Sequence, residues 1–389
     1  MLRRLVLDNF RNYAHQEVSF APGVNAFLGR NGQGKTNLLE AVYYLSLLRS
    51  FRTSQLNYLV AAGKGGFTLY GEVEDGKGQV TRLGVANGGE RRLLVDGVVA
   101  HRASEFISRL VCAAFLPEDL GFIKGAPALR RRFLNITLCQ LSMKYMTALQ
   151  GYNEALKSRN AMLKSPERYP RETVTAWDQV LVQYGAELEA ARQRCARRLN
   201  EALAPLSAEF FPDGRRLEVG FLCGCAHLLG PCSEIPGEVA APFAENLAKC
   251  YERDCRDGST RLGPHRSDLA CLLDGRLLTH YGSEGECRTA AIALKLAALE
   301  LLREERGADE ITMLVAIPSA MAAQKSEKAL PVSFTPFCAG ETTFEESPTA
   351  ALRGLPGRKL NIIPAISRSD TARTINHFDV KSFFKSRTP

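Results

Sequence analysis

The 389-residue sequence predicts an α/β fold built around a phosphate-binding loop and interrupted by an inserted helical lobe. Three observations predict it. A short apolar strand, Val24-Asn25-Ala26-Phe27-Leu28, runs directly into Gly29-Arg30-Asn31-Gly32-Gln33-Gly34-Lys35-Thr36, which matches G-x-x-x-x-G-K-[ST] at every position. Apolar residues then recur at Leu38, Leu39, Val42, Leu45 and Leu48, the period of a helix over Thr36–Leu48. From about Ala128 to Ala208 the pattern changes to long amphipathic helices.

The remaining elements follow in order. Leu2–Asp8 and Gln16–Phe20 read as strands, the second ending at the turn Ala21-Pro22-Gly23. Residues 67–100 alternate and are punctuated by Asp75-Gly76, Asn87-Gly88-Gly89 and Asp96-Gly97, which predicts an antiparallel meander. The lobe holds helices over Arg131–Leu163 and, after Pro166 and Pro170, over Thr173–Leu206. Strands are expected at Leu217–Leu222 and Leu269–Leu273, and a helix at Arg288–Glu305. The organisation is therefore 1–127, first part of the nucleotide-binding head; 128–208, helical arm; 209–315, second part of the head; 316–389, an atypical tail. That tail of 74 residues carries seven of the 18 prolines, four leucines and 15 serines or threonines, with no sustained periodicity. Such a composition repays chain entropy poorly, so the sequence predicts a poorly ordered tail.

The loop explains its own residue types. Glycines let consecutive N–H groups turn toward phosphate oxygens, and the next helix presents its positive end. Lys35 can reach the β- and γ-phosphates, and the Thr36 hydroxyl can ligand Mg2+. ATP with Mg2+ is the expected ligand.

Composition narrows the class further. Hydrophobic residues make up 45% and charged residues 24%, ordinary for a soluble protein. No apolar run approaches the 18–20 residues needed to span a bilayer, and the amino terminus meets Asp8 and Asn9 too soon for a signal peptide. A cytoplasmic protein with no membrane partner is expected. The 11 cysteines are sparse for this length. The cluster Cys223-Gly224-Cys225 with Cys232 lacks the C-x2-C pairs of a zinc site, so free, reduced thiols are expected. The net charge is +8, and the triplet Arg130-Arg131-Arg132, the group Arg192, Arg194, Arg197 and Arg198, and the group Arg253, Arg256, Arg261 and Arg266 are open to two readings. They form either a solvated basic face or a polyanion-binding surface.

Several ordered motifs resemble one family. Asn31-Gly32-Gln33-Gly34-Lys35-Thr36-Asn37-Leu38-Leu39-Glu40-Ala41 resembles the loop of the RecF, Rad50 and SMC ATPases, and Asn9-Phe10-Arg11-Asn12-Tyr13 is similar to the "NFRNY" of RecF. Phe115-Leu116-Pro117-Glu118-Asp119-Leu120, Lys124-Gly125-x-Pro127, Arg130-Arg131-Arg132-Phe133-Leu134, Tyr152-Asn153-x-x-Leu156-Lys157-x-Arg159-Asn160, Gly263-Pro264-His265-Arg266-x-Asp268 and Gly282-Ser283-Glu284-Gly285-Glu286-x-Arg288-Thr289 continue the series. The resemblance covers residues 1 to about 315. The insert is too short for SMC-type coiled coils, and heptads are lacking.

This resemblance implies an ABC-type P-loop ATPase head and an ATP-dependent homodimer on double-stranded DNA and ss/ds junctions. It also implies work with RecR, RecO and RecA in DNA replication, DNA repair and the SOS response. Ser283 and Gly285 align with the ABC signature, which contacts the γ-phosphate held by the other subunit; the alternative for this segment is an ordinary helix cap. His265 either faces nucleotide or holds a turn, and Glu118 and Asp119 are candidates for a place near Mg2+ or water. Asn135 stands where the family usually has Asp, and Glu284 and Glu286 replace glutamines, bringing negative charge toward a presumed phosphate site.

The larger departure lies at the Walker B motif. The strand Ile311-Thr312-Met313-Leu314-Val315 is present, but the expected Asp-Asp falls on Ala316-Ile317, and Pro318-Ser319-Ala320-Met321 replaces the following E-L-D pattern. Without these acids the chain lacks the Mg2+-positioning carboxylate and the group that activates water. Because resemblance stops sharply at Val315, a shifted reading frame is the expected cause. The sequence thus leaves two outcomes open. One is a DNA-dependent ATPase; the other is a hydrolysis-deficient ATP- and DNA-binding module or non-functional frameshifted copy.

Overall fold

The computed structural model describes residues 1–28, 32–116, 119, 121–211, 213–225, 232–307, 311–315 and 360–364. The chain divides into two units, Met1–Pro117 with Asp309–Pro389, and Glu118–Ala308. The expected arm and most of the expected second part of the head therefore share one unit.

The first unit begins with β1 (Leu2–Phe10), β2 (Tyr13–Ser19) and β3 (Val24–Leu28), followed by helix α1 (Lys35–Leu47). Strands β4 (Phe67–Glu74), β5 (Val80–Gly88), β6 (Glu90–Val95) and β7 (Val98–Val99) form the meander expected from the glycine-punctuated alternation. These strands join the first two in an antiparallel sheet ordered β2-β1-β4-β5-β6-β7. Helix α1 buries Leu38, Val42, Tyr44 and Leu45. It lies close on β4, where a Cβ at Gly71 would sit 2.4 Å from Leu45 Cδ2. Phe67 receives the edges of Phe10 and Tyr44 at 5.2 and 5.6 Å, which pins the helix after the loop to the sheet. A short helix α2 (Ala103–Ile107) leads into β8 (Val111–Phe115).

The second unit starts with α3 (Pro127–Leu141) and α4 (Met143–Leu163). The sequence predicts one helix over Arg131–Leu163; the structure breaks it at Ser142, whose extended backbone ends α3 and whose hydroxyl accepts the Tyr145 N–H to cap α4. Helix α5 (Arg171–Phe210) runs 40 residues and carries Pro205 within it. Strand β9 (Leu217–Leu222), helix α6 (Pro236–Asp257), β10 (Asp268–Leu273), β11 (Arg276–Leu277), α7 (Leu278–Tyr281) and α8 (Glu284–Arg306) complete the unit. Its sheet is ordered β11-β10-β9. The core joins Tyr152, Leu181, Leu188, Phe243, Leu269 and Leu294 from five of these elements.

The chain then returns to the first unit. Strand β12 (Ile311–Val315) pairs in parallel with β8, Ile311 opposite Val111 and Val315 opposite Phe115. Strand β13 (Leu360–Pro364) pairs in parallel with β3, Leu360 opposite Val24. This corrects the expectation for the tail at 360–364: the apolar run Leu-Asn-Ile-Ile supplies a ladder partner to the strand that enters the phosphate loop. The rest of the tail, 316–359 and 365–389, lies outside the described residues, as does the shifted-frame expectation at 316–317.

Candidate nucleotide-binding site

Gly29, Arg30 and Asn31 lie outside the described residues; the second half of the loop is described. Gly32 and Gly34 have φ of +82° and +104°, conformations that glycine adopts without strain. Gly34 occupies the N-cap of α1 and offers no capping side chain, and the first turn carries no acid. The helix thus starts without a capping side chain, with Lys35 in its first turn and an exposed Thr36. That combination suits a phosphate.

The motif Asn9–Tyr13 builds the wall behind this loop. A Cβ at Gly34 would meet Asn12 Nδ2 at 2.7 Å and Tyr13 Oη at 2.8 Å, so a side chain there would displace the wall. Asn12 donates to the Gln33 carbonyl (3.3 Å), and Asn37 donates to Asn12 Oδ1 (2.7 Å). Arg11, held at φ +56°, forks onto Glu40 through Nε (2.8 Å) and Nη2 (2.6 Å), and its Nη1 donates to the Tyr58 carbonyl (2.6 Å). Glu40 is fully buried and also accepts from the Ser50 hydroxyl, with Arg52 at 3.6 Å. The spacing Asn-x-x-Glu after Lys-Thr therefore places an amide and a carboxylate on the face of α1 that meets Arg11 and Asn12.

In the second unit the signature segment caps α8. Ser283 accepts the Glu286 N–H (3.2 Å), and the Glu286 carboxylate accepts the Ser283 N–H (2.7 Å), a reciprocal capping box. That N–H, together with Arg215, draws the Glu286 carboxyl down to about 2. Glu284 is paired with Arg288. Each acid that looked adverse for phosphate is thus held by its own partner. A Cβ at Gly285 would meet nothing within 4 Å; the chain's own packing does not require glycine there.

Other motif residues prove to be framework. His265 holds a turn: its Nδ1 is 2.6 Å from the Tyr152 hydroxyl and its Nε2 is 3.0 Å from the Thr260 carbonyl. Burial pushes its pKa down to about 4, so the neutral ring donates at Nε2 and accepts at Nδ1. Depression below the ordinary 6.5 means stability is complete above pH 6.5 and is lost as pH falls toward 4, by about 3 kcal/mol at most. Urea melts at pH 7.5 and pH 5 should show this loss, and His265→Gln should flatten it; an unchanged slope in the variant would refute the assignment. Asp119 is paired with Lys295, and Glu118 lies outside the described residues.

The basic clusters divide. Arg130 is buried and forks onto Asp268, 2.8 Å at each contact. Arg192 is buried against the Tyr145 hydroxyl (3.0 Å), the Pro264 carbonyl (2.6 Å), Ser267 Oγ (2.6 Å) and Asn135 Oδ1 (3.0 Å). Asn135 is thus a neutral acceptor inside this hub. Arg197 pairs with Glu201 and Glu234, Arg198 with Glu304 and Glu305, and Arg261 with Asp257. Of the clusters open to either reading, Arg130 and Arg192 belong to neither a solvated face nor a polyanion surface, since acceptors far along the chain bury them; Arg197, Arg198 and Arg261 pair with partly exposed acids.

Comparison with known proteins decides the family. The RecF/RecN/SMC N terminal domain model matches residues 1–306. The DNA replication and repair protein RecF of Lacticaseibacillus casei strain BL23 is 31% identical over 316 residues, 80% of this chain and 84% of that protein. The chain belongs to the RecF family. The RecF of Lachnoclostridium phytofermentans is 32% identical over 314 residues, 78% of this chain and 82% of its own length. Among solved structures, the recombination mediator protein RecF-ATP in the RecFOR pathway matches with a TM-score of 0.77 and 27% identity, over 95% of this chain and 94% of that chain. The corresponding RecF-ATPrS structure matches with the same score over 93% of its length. The expected ABC-type ATPase head with mixed helices and sheets is the fold shared with these RecF structures. Among the described residues no helix is long and apolar enough to cross a membrane.

Proposed function

We propose that this RecF-family chain binds ATP at Gly29–Thr36 and uses it to close a homodimer on duplex DNA. Ser283 and Gly285 of each subunit reach the γ-phosphate held by the other. The observation that carries this reading is the uncapped start of α1 behind Gly34, walled by Asn12 and Tyr13. Solved relatives named RecF-ATP and RecF-ATPrS support the ligand, and relatives named DNA replication and repair protein support the setting. In that setting the protein acts at gapped or stalled sites and ss/ds junctions, helping RecO and RecR load RecA, in the cytoplasm. DNA contact is electrostatic and largely sequence-independent.

Mg2+ fits this site through the exposed Thr36 hydroxyl and nucleotide oxygens, and supplies charge neutralisation at the phosphates. Ala316 and Ile317 provide no carboxylate, so the proposed output is binding with little or no turnover. Sedimentation of the full chain with ATP, with and without gapped duplex, tests the reading. Wild type should dimerise with ATP and hydrolyse it negligibly. Lys35→Ala should lose at least about tenfold in ATP affinity. Gly285→Arg should keep folding and ATP binding yet fail to dimerise, because space left open within one chain is then filled at the subunit contact. An ATPase rate abolished by Lys35→Ala would overturn the claim of little turnover, and a dimer indifferent to ATP would overturn the mechanism.

A further inference from the structure

The second unit contains a group of donors that nucleotide binding does not use. Glu189 of α5, Cys223 just past the end of β9, and Cys232 ahead of α6 bring one carboxylate oxygen and two sulfurs within 4.8 Å of one another. The Cys225 thiol lies within hydrogen-bonding reach of Cys223, as does that of Cys232. Glu189, Cys223 and Cys225 are buried.

Glu189 is the telling member. Its side chain is 0% exposed; the Cys223 thiol and the Gly224 N–H face its carboxylate, but neither makes a hydrogen bond of ordinary geometry with it. The nearest cation, Arg192, stands 3.8 Å away with Nε, Nη1 and Nη2 already bonded to Tyr145, Pro264, Ser267 and Asn135. An unsatisfied buried carboxylate is costly unless a proton or a cation meets it. Here it faces thiols instead of water.

The backbone between the cysteines is also fixed for this purpose. A Cβ at Gly224 would come within 2.2 Å of the Gly263 carbonyl oxygen and 2.6 Å of the Ser267 nitrogen. The Gly224 carbonyl accepts the Gly263 N–H (2.7 Å). Only glycine fits there, so Cys223 and Cys225 are anchored on either side of a rigid contact.

We propose that Glu189, Cys223 and Cys232 bind one structural Zn2+, with the Cys225 thiol beside Cys223 moving in as the fourth ligand. Three sulfurs and one carboxylate match the borderline-soft, four-coordinate preference of zinc, and no position remains open for catalysis. The ion ties α5, the end of β9 and the approach to α6 together. Arg192 beside it offsets part of the charge left by four anionic donors around one divalent cation. The proposal is independent of nucleotide binding in the other unit.

Full-length protein, reduced and purified from zinc-supplemented culture, should carry about one zinc per chain by elemental mass spectrometry. Exchange with Co2+ should give thiolate-to-cobalt charge-transfer absorption with tetrahedral d–d bands. Cys223→Ser with Cys232→Ser should lose the metal, Cys139→Ser should keep it, and Glu189→Gln should weaken zinc at least about tenfold. If the double variant does not fold, the cobalt spectrum of wild type decides: bands without thiolate character overturn the proposal. Reduced wild type that binds no Zn2+, a double variant that retains it, or a Cys223–Cys232 disulfide in protein isolated with its thiols blocked would each overturn it as well.

Discussion

Arg159→Ala is expected to remove about 3–5 kcal/mol of stability, the range for stripping one partner from a buried ion pair. Arg159 on α4 is 0% exposed and donates to Asp178 on α5 (2.5 Å), to Asp254 on α6 (2.7 Å) and to Thr260 Oγ1 (2.9 Å). Asp254 is equally buried and accepts the Arg261 N–H (3.1 Å), while burial raises its pKa. Without the guanidinium, one fully buried carboxylate loses its main charge partner, and three helices lose their common tie. Because domains are stable by only about 5–15 kcal/mol, such a loss is a large fraction of the whole. Arg159→Lys should recover little, since an ammonium cannot fork to two carboxylates in fixed geometry. Equilibrium urea unfolding measures the effect; a cost below about 1 kcal/mol would show that the cluster is solvated and the argument mistaken.

Arg11→Ala should act on both stability and nucleotide affinity. It leaves the buried Glu40 with only the Ser50 hydroxyl and the more distant Arg52, which should cost about 3 kcal/mol. It also frees the β1–β2 turn, where Arg11 sits at φ +56°, and so loosens Asn12, the residue that braces Gln33 and Asn37. ATP affinity should fall about tenfold, equivalent to 1.4 kcal/mol. Arg11→Met combined with Glu40→Leu separates the two effects. Stability should largely return, because an apolar pair can replace a buried ion pair, while affinity should stay low because the turn remains unpinned. Full recovery of ATP binding in the double variant would show that Arg11 contributes nothing beyond charge balance. Isothermal titration beside urea melts reads both quantities.

The elements that sequence foretells are those with a strong local period. Strand β3, helix α1, the meander β4–β7, and strands β9 and β12 fall where apolar spacing and glycine punctuation put them. Helix α6 goes unassigned although its buried Val239, Phe243, Leu247, Cys250 and Asp254 keep helical spacing. Pro236 and Pro242 look like breakers, yet Pro236 stands at the first turn, where a missing N–H costs nothing. Strands β8 and β13 are two-stranded partners of distant segments, so no local pattern announces them.

The site divides in the same way. The loop residues Gly32–Thr36 are readable because phosphate chemistry dictates their type and spacing. The pairs Arg11–Glu40 and Asn12–Asn37 are present in the sequence as family motifs, but the reason for them is a contact across space. Charge clusters mislead for the converse reason. Arg130 and Arg192 belong to clusters open to a reading as a surface for polyanions until their acceptors, far along the chain, are seen beside them. Glu189 shows the same limit, since a helix with no cysteine spacing of its own supplies the donor that changes how Cys223 and Cys232 are read.

The pairing of Leu360 with Val24 has a consequence for biosynthesis. The strand that delivers the chain into the phosphate loop emerges from the ribosome early, and its ladder partner emerges late. At about ten residues per second the interval is on the order of half a minute. For that time the nascent strand presents an unpaired edge, open to neighbouring chains on the same message. Final closure also requires joining segments about 336 residues apart in sequence, from Val24 to Leu360, the kind of contact that slows folding. Nucleotide capture should therefore follow synthesis of the strand at Leu360–Pro364, and factors that shield exposed strands during translation should govern how much competent protein a cell obtains.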